Sequence, residues 1–178
     1  MLTEAQRKAL LALARRAVES QVHGRALPGY GEPMTLPDAS GVFVTIKRGG
    51  KLRGCLGTLA SRGSLEDEVA RCAADSASED PRFPPVAADE LPDLSLEISV
   101  LGPLERIDPA ADAIELGRHG LVVEQGARCG LLLPQVAVEW GWTREQFLQR
   151  TCGKAGLPED AWRQGAPVYR FEAEVFGE

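Results

Sequence analysis

The sequence predicts an α+β protein with antiparallel sheets, and three observations carry that expectation. Two stretches read as β-hairpins closed by glycine-containing turns. Several segments carry helix caps followed by apolar residues at helical spacing. No regular strand–helix–strand rhythm is present, which argues against a parallel sheet.

The elements follow in order. Thr3 and Gln6 have capping-box spacing, and Leu10, Leu13, Ala14 and Ala17 then share one helical face, so a helix is expected to run to a stop near Gly24. A loop containing Pro28, Gly29, Gly31, Pro33 and Pro37 follows. Residues 42–47 are β-branched and aromatic, Gly49-Gly50 breaks them, and 51–59 resumes the pattern as a hairpin partner. Ser64 caps a second helix whose acidic first turn (Glu66, Asp67, Glu68) complements the helix dipole. Leu65, Val69, Cys72 and Ala73 form its apolar stripe, and Pro81 requires it to stop beforehand. Leu94, Leu96, Ile98 and Val100 alternate with polar residues as a strand with one wet face. Asp108-Pro109 reads as the start of a short helix, and Gln125-Gly126 as the turn of a second hairpin. Thr143 and Gln146 open a helix containing Phe147, Leu148 and Cys152, and 168–176 alternates as a closing strand.

Composition narrows the function classes. The 178 residues are 44% hydrophobic and 26% charged, which is globular rather than disordered, fibrous or coiled-coil. A net charge of −6 disfavours nucleic acid, whose affinity comes largely from Lys and Arg neutralising phosphates. The longest apolar run near the start, residues 9–14, is too short for a membrane span, and no signal peptide is read. Cys55, Cys72, Cys129 and Cys152 have no Cys-x-x-Cys spacing, and free thiols in a cytoplasmic protein are expected. His23 and His119 are far apart with no ligand partner at metal spacing, so no metal site is expected. Gly29-Tyr30-Gly31 has Met34 where a dinucleotide fingerprint needs its third glycine, and neither Gly-Lys pair is followed by Ser or Thr. The familiar cofactor signatures are thus absent, the residues leave the cofactor unknown, and there is no Gly-x-Ser-x-Gly elbow.

One segment stands apart: Leu52-Arg53-Gly54-Cys55-Leu56-Gly57. Glycine is unusual inside a strand, and two of them around a cysteine open its backbone and sulfur to close approach. On a regular strand Arg53 and Cys55 share a face, and a guanidinium beside a thiol favours the reactive thiolate. The functional reading is a reactive or ligand-facing thiol. The structural reading is a small apolar Cys whose glycines permit a bulge or tight sheet packing.

This hexapeptide resembles the signature of the AMMECR family, also called AmmeMemoRadiSam system protein A, with Leu56 where Ile is usual. The resemblance continues in order through 41–45, Asp80-Pro81-Arg82-Phe83-Pro84-Pro85, 96–101, 117–121, 132–137, 154–157 and 169–176. It implies one family domain over 1–178 with two subdomains of unequal size, each an antiparallel sheet with helices, separated by a cleft. The larger would contain both termini and the smaller would be inserted, with no internal boundary readable. The family name implies a pathway or complex shared with Memo-like and radical SAM proteins.

Two readings of function follow. In the first, a small molecule or peptide binds in the cleft and is held or transformed there. Cys55 is then nucleophile or contact, with a depressed pKa. Arg53 and Arg82 are anion clamps, Gly54, Gly57 and Asp80 ligand-side candidates, and His119 a candidate acid/base. In the second, the chain is a non-catalytic interaction or scaffold module for those partners. The residues leave open whether the chain is an enzyme. Asp80 equally reads as a local cap, Arg82 as a surface ion pair and His119 as a turn residue. Glu97, Gln135 and Lys154 are explained as solvated or capping groups. Cys72 and Cys152 read as core, Cys129 has no role, and Trp140, Trp142 and Trp162 are expected to supply packing area.

Overall fold

The computed structural model describes residues 1–29, 34–59 and 63–178; Gly31 and Pro33 of the proline-rich loop lie outside them. The fold is α+β. The chain divides into two compact units, one comprising Met1–Leu101 with Glu174–Glu178 and the other Gly102–Ala173.

The first unit begins with helix α1 (Glu4–Val22), opened by the Thr3–Gln6 capping box. Strands β1 (Gly41–Arg48) and β2 (Lys51–Thr58) form the expected hairpin. Gly49 and Gly50 both have positive φ, +56° and +76°, the geometry a two-residue turn needs to match the strand twist. Helix α2 (Leu65–Ser78) starts on a reciprocal Ser64–Asp67 box and ends before Pro81. A short 3-10 helix (Ala88–Asp93) leads to β3 (Leu94–Leu101). The sheet order is β2-β1-β3, with antiparallel pairings that set Thr45 between Cys55 and Glu97. One face of this sheet carries Val42, Val44, Ile46, Leu96, Ile98 and Val100, which pack with Leu10, Leu13 and Ala14 of α1 and Val69, Cys72 and Ala73 of α2. Each large aliphatic buried there stabilises the fold by roughly 1.5–3 kcal/mol. The other face carries Thr45, Lys47, Cys55 and Glu97, all half-buried. Ser99 departs from the expected wet face: it is buried, and its Oγ has no hydrogen-bond partner among the described residues. Glu66 and Glu68 are also buried, Glu68 against Arg71, so the acidic first turn of α2 is only partly a solvated one.

The second unit holds β4 (Glu105–Ile107), β5 (His119–Gln125), β6 (Arg128–Leu132), α3 (Pro134–Glu139), α4 (Arg144–Lys154) and a 3-10 helix, Ala161–Gln164. The last strand, β7 (Val168–Gly177), pairs with both β4 and β5 along its first residues, and its final residues belong to the first unit. The core here is built on Leu121, Val123, Phe147, Leu148, Cys152 and Val168.

Four expectations need correction. Asp108-Pro109 begins a single turn rather than a helix. The Asp108 carbonyl accepts from the Asp112 N–H at 2.7 Å, and the Asp112 carboxylate returns to the Asp108 N–H at 2.7 Å, closing the turn on itself. The second hairpin turns at residues 126–127, because Gln125 still pairs with Arg128 and Gly126 takes the positive φ. Burial along β7 does not alternate cleanly, since Val168 and Phe171 are buried in one unit while Phe176 packs on the core of the other. Trp140 is 70% exposed and stacks on Trp142 rather than filling the core.

The tightest contact between helix and strand in the first unit lies at Gly54, where an added Cβ would sit 2.2 Å from the Ser76 carbonyl of α2. Gly54→Ala is therefore expected to destabilise the protein by about 3 kcal/mol through forced separation of helix and strand. Gly126→Ala meets open space and is expected to cost about 1 kcal/mol, from backbone conformation alone. Urea unfolding of both variants checks the difference.

Candidate functional site

The hexapeptide occupies most of β2, next to β1, and its local geometry begins with an irregularity. Ile46 pairs with Gly54, but Lys47 pairs with Leu52, so Arg53 is an extra residue bulged from the ladder. The bulge aims Arg53 away from the thiol. Its Nε and Nη2 donate to the two Glu90 carboxylate oxygens at 2.9 and 2.8 Å, and Nη1 donates to the Pro84 carbonyl at 2.9 Å. Arg48 adds a further contact to Glu90 at 3.0 Å. Glu90 is held well below the usual carboxylate range, at about 2, first by the Arg53 hydrogen bonds and then by the Ala87 N–H.

Gly54 lets α2 approach, and Ser76 on that helix turns the approach into hydrogen bonds. Its hydroxyl accepts from the Leu56 N–H at 2.8 Å and lies 2.8 Å from the Val44 carbonyl. Gly57 serves a second close contact, since a Cβ there would lie 2.4 Å from the Phe43 ring.

Cys55 is half-buried between these glycines. Thr45 Oγ1 donates to its sulfur at 3.3 Å. The Cys55 N–H donates to Asp80 Oδ2 at 2.9 Å, and its carbonyl accepts from Arg82 Nη2 at 3.3 Å. Burial pushes the thiol above its ordinary pKa, and the Thr45 bond and the Arg82 charge do not reverse that shift. The expectation of a depressed Cys55 pKa is therefore overturned: the nearest guanidinium by sequence is consumed by Glu90, and desolvation wins.

Asp80 is buried, and four hydrogen bonds saturate its carboxylate. Besides the Cys55 N–H, it accepts from the Arg82 N–H at 3.0 Å, Arg82 Nε at 3.0 Å and Arg82 Nη2 at 2.7 Å. These hold it far below the usual carboxylate range, the Arg82 side chain contributing most. Arg82 itself remains 54% exposed at its side chain. Its guanidinium and that of Arg53 lie 5.7 and 5.9 Å from the centroid of the Phe83 ring.

The first unit thus brings together Arg53, Gly54, Cys55, Gly57, Asp80 and Arg82. His119 belongs to the second unit, as the first residue of β5. It is buried, and its Nδ1 accepts from the Glu115 N–H at 3.0 Å, which ties the ring into its own turn. Among the described residues no cluster of His, Cys, Asp and Glu is arranged to hold a metal ion. Three participants were not singled out in the sequence: Thr45, Ser76 and Glu90. Thr45 was findable as the residue opposite Cys55 once the hairpin turn was placed, whereas Ser76 and Glu90 carry no local signal.

A family-wide sequence model described as AMMECR1 matches residues 11–176. The chain belongs to the AMMECR1 family. A protein of Thermococcus onnurineus is 46% identical over 181 aligned residues, covering 95% of this chain and 88% of the relative. A protein of Methanosarcina acetivorans is 42% identical, covering 100% and 94%. The crystal structure of an uncharacterized protein from Pyrococcus horikoshii matches with a TM-score of 0.86 at 45% identity, covering 95% of this chain and 89% of that one. Among the described residues no helix is long and apolar enough to cross a membrane.

Arg53→Ala would leave the buried Glu90 with only the Ala87 N–H and the partly exposed Arg48 as partners, and a loss of about 3 kcal/mol in urea unfolding is expected. Acid should act on the same pair. Because the folded pKa of Glu90 is depressed from 4.5 to about 2, its stabilising contribution is complete above 4.5 and is lost as pH falls toward 2. Asp80 works in the same direction. In Glu90→Gln, the fall of unfolding free energy across that window should be visibly shallower than in the unaltered chain.

Proposed function

We propose that this AMMECR1-family protein is a binding protein whose ligand or partner docks on the Cys55 face of the first unit, with the thiol as a neutral contact rather than a nucleophile. The observation that carries this reading is the state of the thiol: half-exposed, hydrogen-bonded by Thr45 and raised in pKa by burial. A thiol of that kind donates and accepts weak hydrogen bonds and packs well, but it supplies little thiolate near neutral pH. A rigid surround supports the same reading. Asp80 and Ser76 fix the strand backbone, while the half-exposed guanidinium of Arg82, beside the Cys55 carbonyl, offers a cation to an acidic group. Membership of a pathway with Memo-like and radical SAM proteins rests on the family resemblance and belongs to the same proposal.

Alkylation with iodoacetamide across a pH series, read by peptide mass spectrometry so that Cys55 is separated from Cys129, tests this reading. Native Cys55 should react more slowly than in the urea-unfolded chain at every pH, with an apparent pKa above that of the unfolded thiol. Faster reaction in the native protein, or a lower apparent pKa, would establish a nucleophile and overturn the binding reading. In that case Thr45→Val, which removes the donor to sulfur, should slow the native reaction.

A further inference from the structure

The second unit contains a cavity of about 700 Å³, independent of the Cys55 face and lined by residues of that unit alone. Its volume is in the range of small-molecule pockets. One wall is the end of β4 with the following turn, contributing Arg106, Ile107 and Pro109; the other is the 3-10 helix and the start of β7, contributing Trp162, Arg163 and Val168.

Both walls are fixed in place by hydrogen bonds that do not involve the cavity's charged groups. Arg170 clamps Glu105 through Nε and Nη2 at 2.9 and 3.0 Å and reaches the Ala113 carbonyl at 2.6 Å, which locks the β4–β7 register. Arg144 holds the turn by donating to the carbonyls of Pro109 and Asp112. On the opposite wall Gly165, with φ of +91°, ends the 3-10 helix, and Ala166 N–H returns to the Ala161 carbonyl at 3.1 Å. Ile107, Ala166 and Val168 are buried, so the deep part is apolar and rigid.

The charge on the rim is specific. Arg163 is neutralised by Glu145 at 2.5 Å and stacks over the Trp162 ring at 4.7 Å, giving a flat cationic–aromatic surface. The indole Nε1 is buried away from solvent, so Trp162 offers its ring rather than its N–H. Arg106 is exposed and has no ion-pair partner among the described residues. Asp108, on the same rim, already accepts from the Ala110 N–H at 2.9 Å. One uncompensated guanidinium, with the Asp108 carboxylate on the same rim, disfavours a polyanion and suits a single directed negative charge.

We infer that this cavity is a binding site for an aromatic carboxylate, its ring lying between the apolar wall and the Trp162–Arg163 stack and its carboxylate on Arg106. The experiment uses the full chain, ¹⁵N-labelled, with the three tryptophan indole N–H resonances assigned by Trp→Phe variants. It is titrated with 2-naphthoate and, separately, with the uncharged and nearly isosteric 2-naphthamide. The Trp162 resonance should shift with both, and naphthoate should bind about tenfold more tightly, the increment of one charge-assisted hydrogen bond. In Arg106→Gln that preference should disappear while naphthamide binding is unchanged. Failure of the Trp162 resonance to move at millimolar naphthoate would overturn the assignment. Equal affinity for the two probes would overturn it as well, and that comparison needs no variant. Shifts confined to Trp140 and Trp142 would place any binding on their exposed stack and equally refute it.

Discussion

The contact between the backbone of α2 at Ser76 and the backbone of β2 at Gly54 is the constraint on which the rest of the first unit depends. A helix and a strand approach this closely only where one of them lacks a Cβ. Once they do, the Ser76 hydroxyl is near enough to the Leu56 N–H and the Val44 carbonyl to bond across two strands. The first unit's edge strand would otherwise present unpaired donors to solvent, and here the helix and the residues just after it absorb them. Placing α2 in this way also brings Asp80, the residue just after the helix C-cap, to the Cys55 N–H.

The charged residues of the family hexapeptide and its companion loop are largely spent on this architecture. Arg53 and Glu90 form an enclosed bidentate pair, and Asp80 is saturated by hydrogen bonds. Such pairs add little net stability relative to apolar replacements, but they strongly penalise any arrangement in which one partner is left alone. They therefore fix a backbone rather than wait for a substrate. What stays accessible is a smaller set: the Cys55 thiol with its Thr45 donor, and the outer part of the Arg82 guanidinium.

Features written in adjacent residues were legible in the sequence, and features made by distant ones were not. The Thr3, Ser64 and Thr143 caps, the Gly49-Gly50 turn and the apolar stripes are local, each needing only a few neighbouring residues to act. The bulge at Arg53 defeated the alternation rule, because inserting one residue in a strand turns its side chain from the face that spacing assigns. Glu90 was invisible for a different reason. It lies 37 positions from Arg53, and nothing around it marks it as the buried partner of a guanidinium. Without that pairing the sequence placed a cation beside the thiol and inferred the wrong direction for its acidity. The glycines of the hexapeptide were read more accurately, as sites of close approach, because the absence of a side chain has few physical uses inside a strand.

The distribution of thiols has a practical consequence. Cys72 and Cys152 are buried, one in each unit, while Cys55 is half-exposed in the first unit and Cys129 exposed in the second. The native chain therefore carries one solvent-reachable attachment point per unit, with the remaining sulfurs shielded. Because Cys55 and Cys129 differ in exposure, a thiol-reactive dye added in limiting amount would populate them sequentially. Two different labels could then be installed without engineering a single residue, leaving the unaltered protein equipped for distance measurements between its halves.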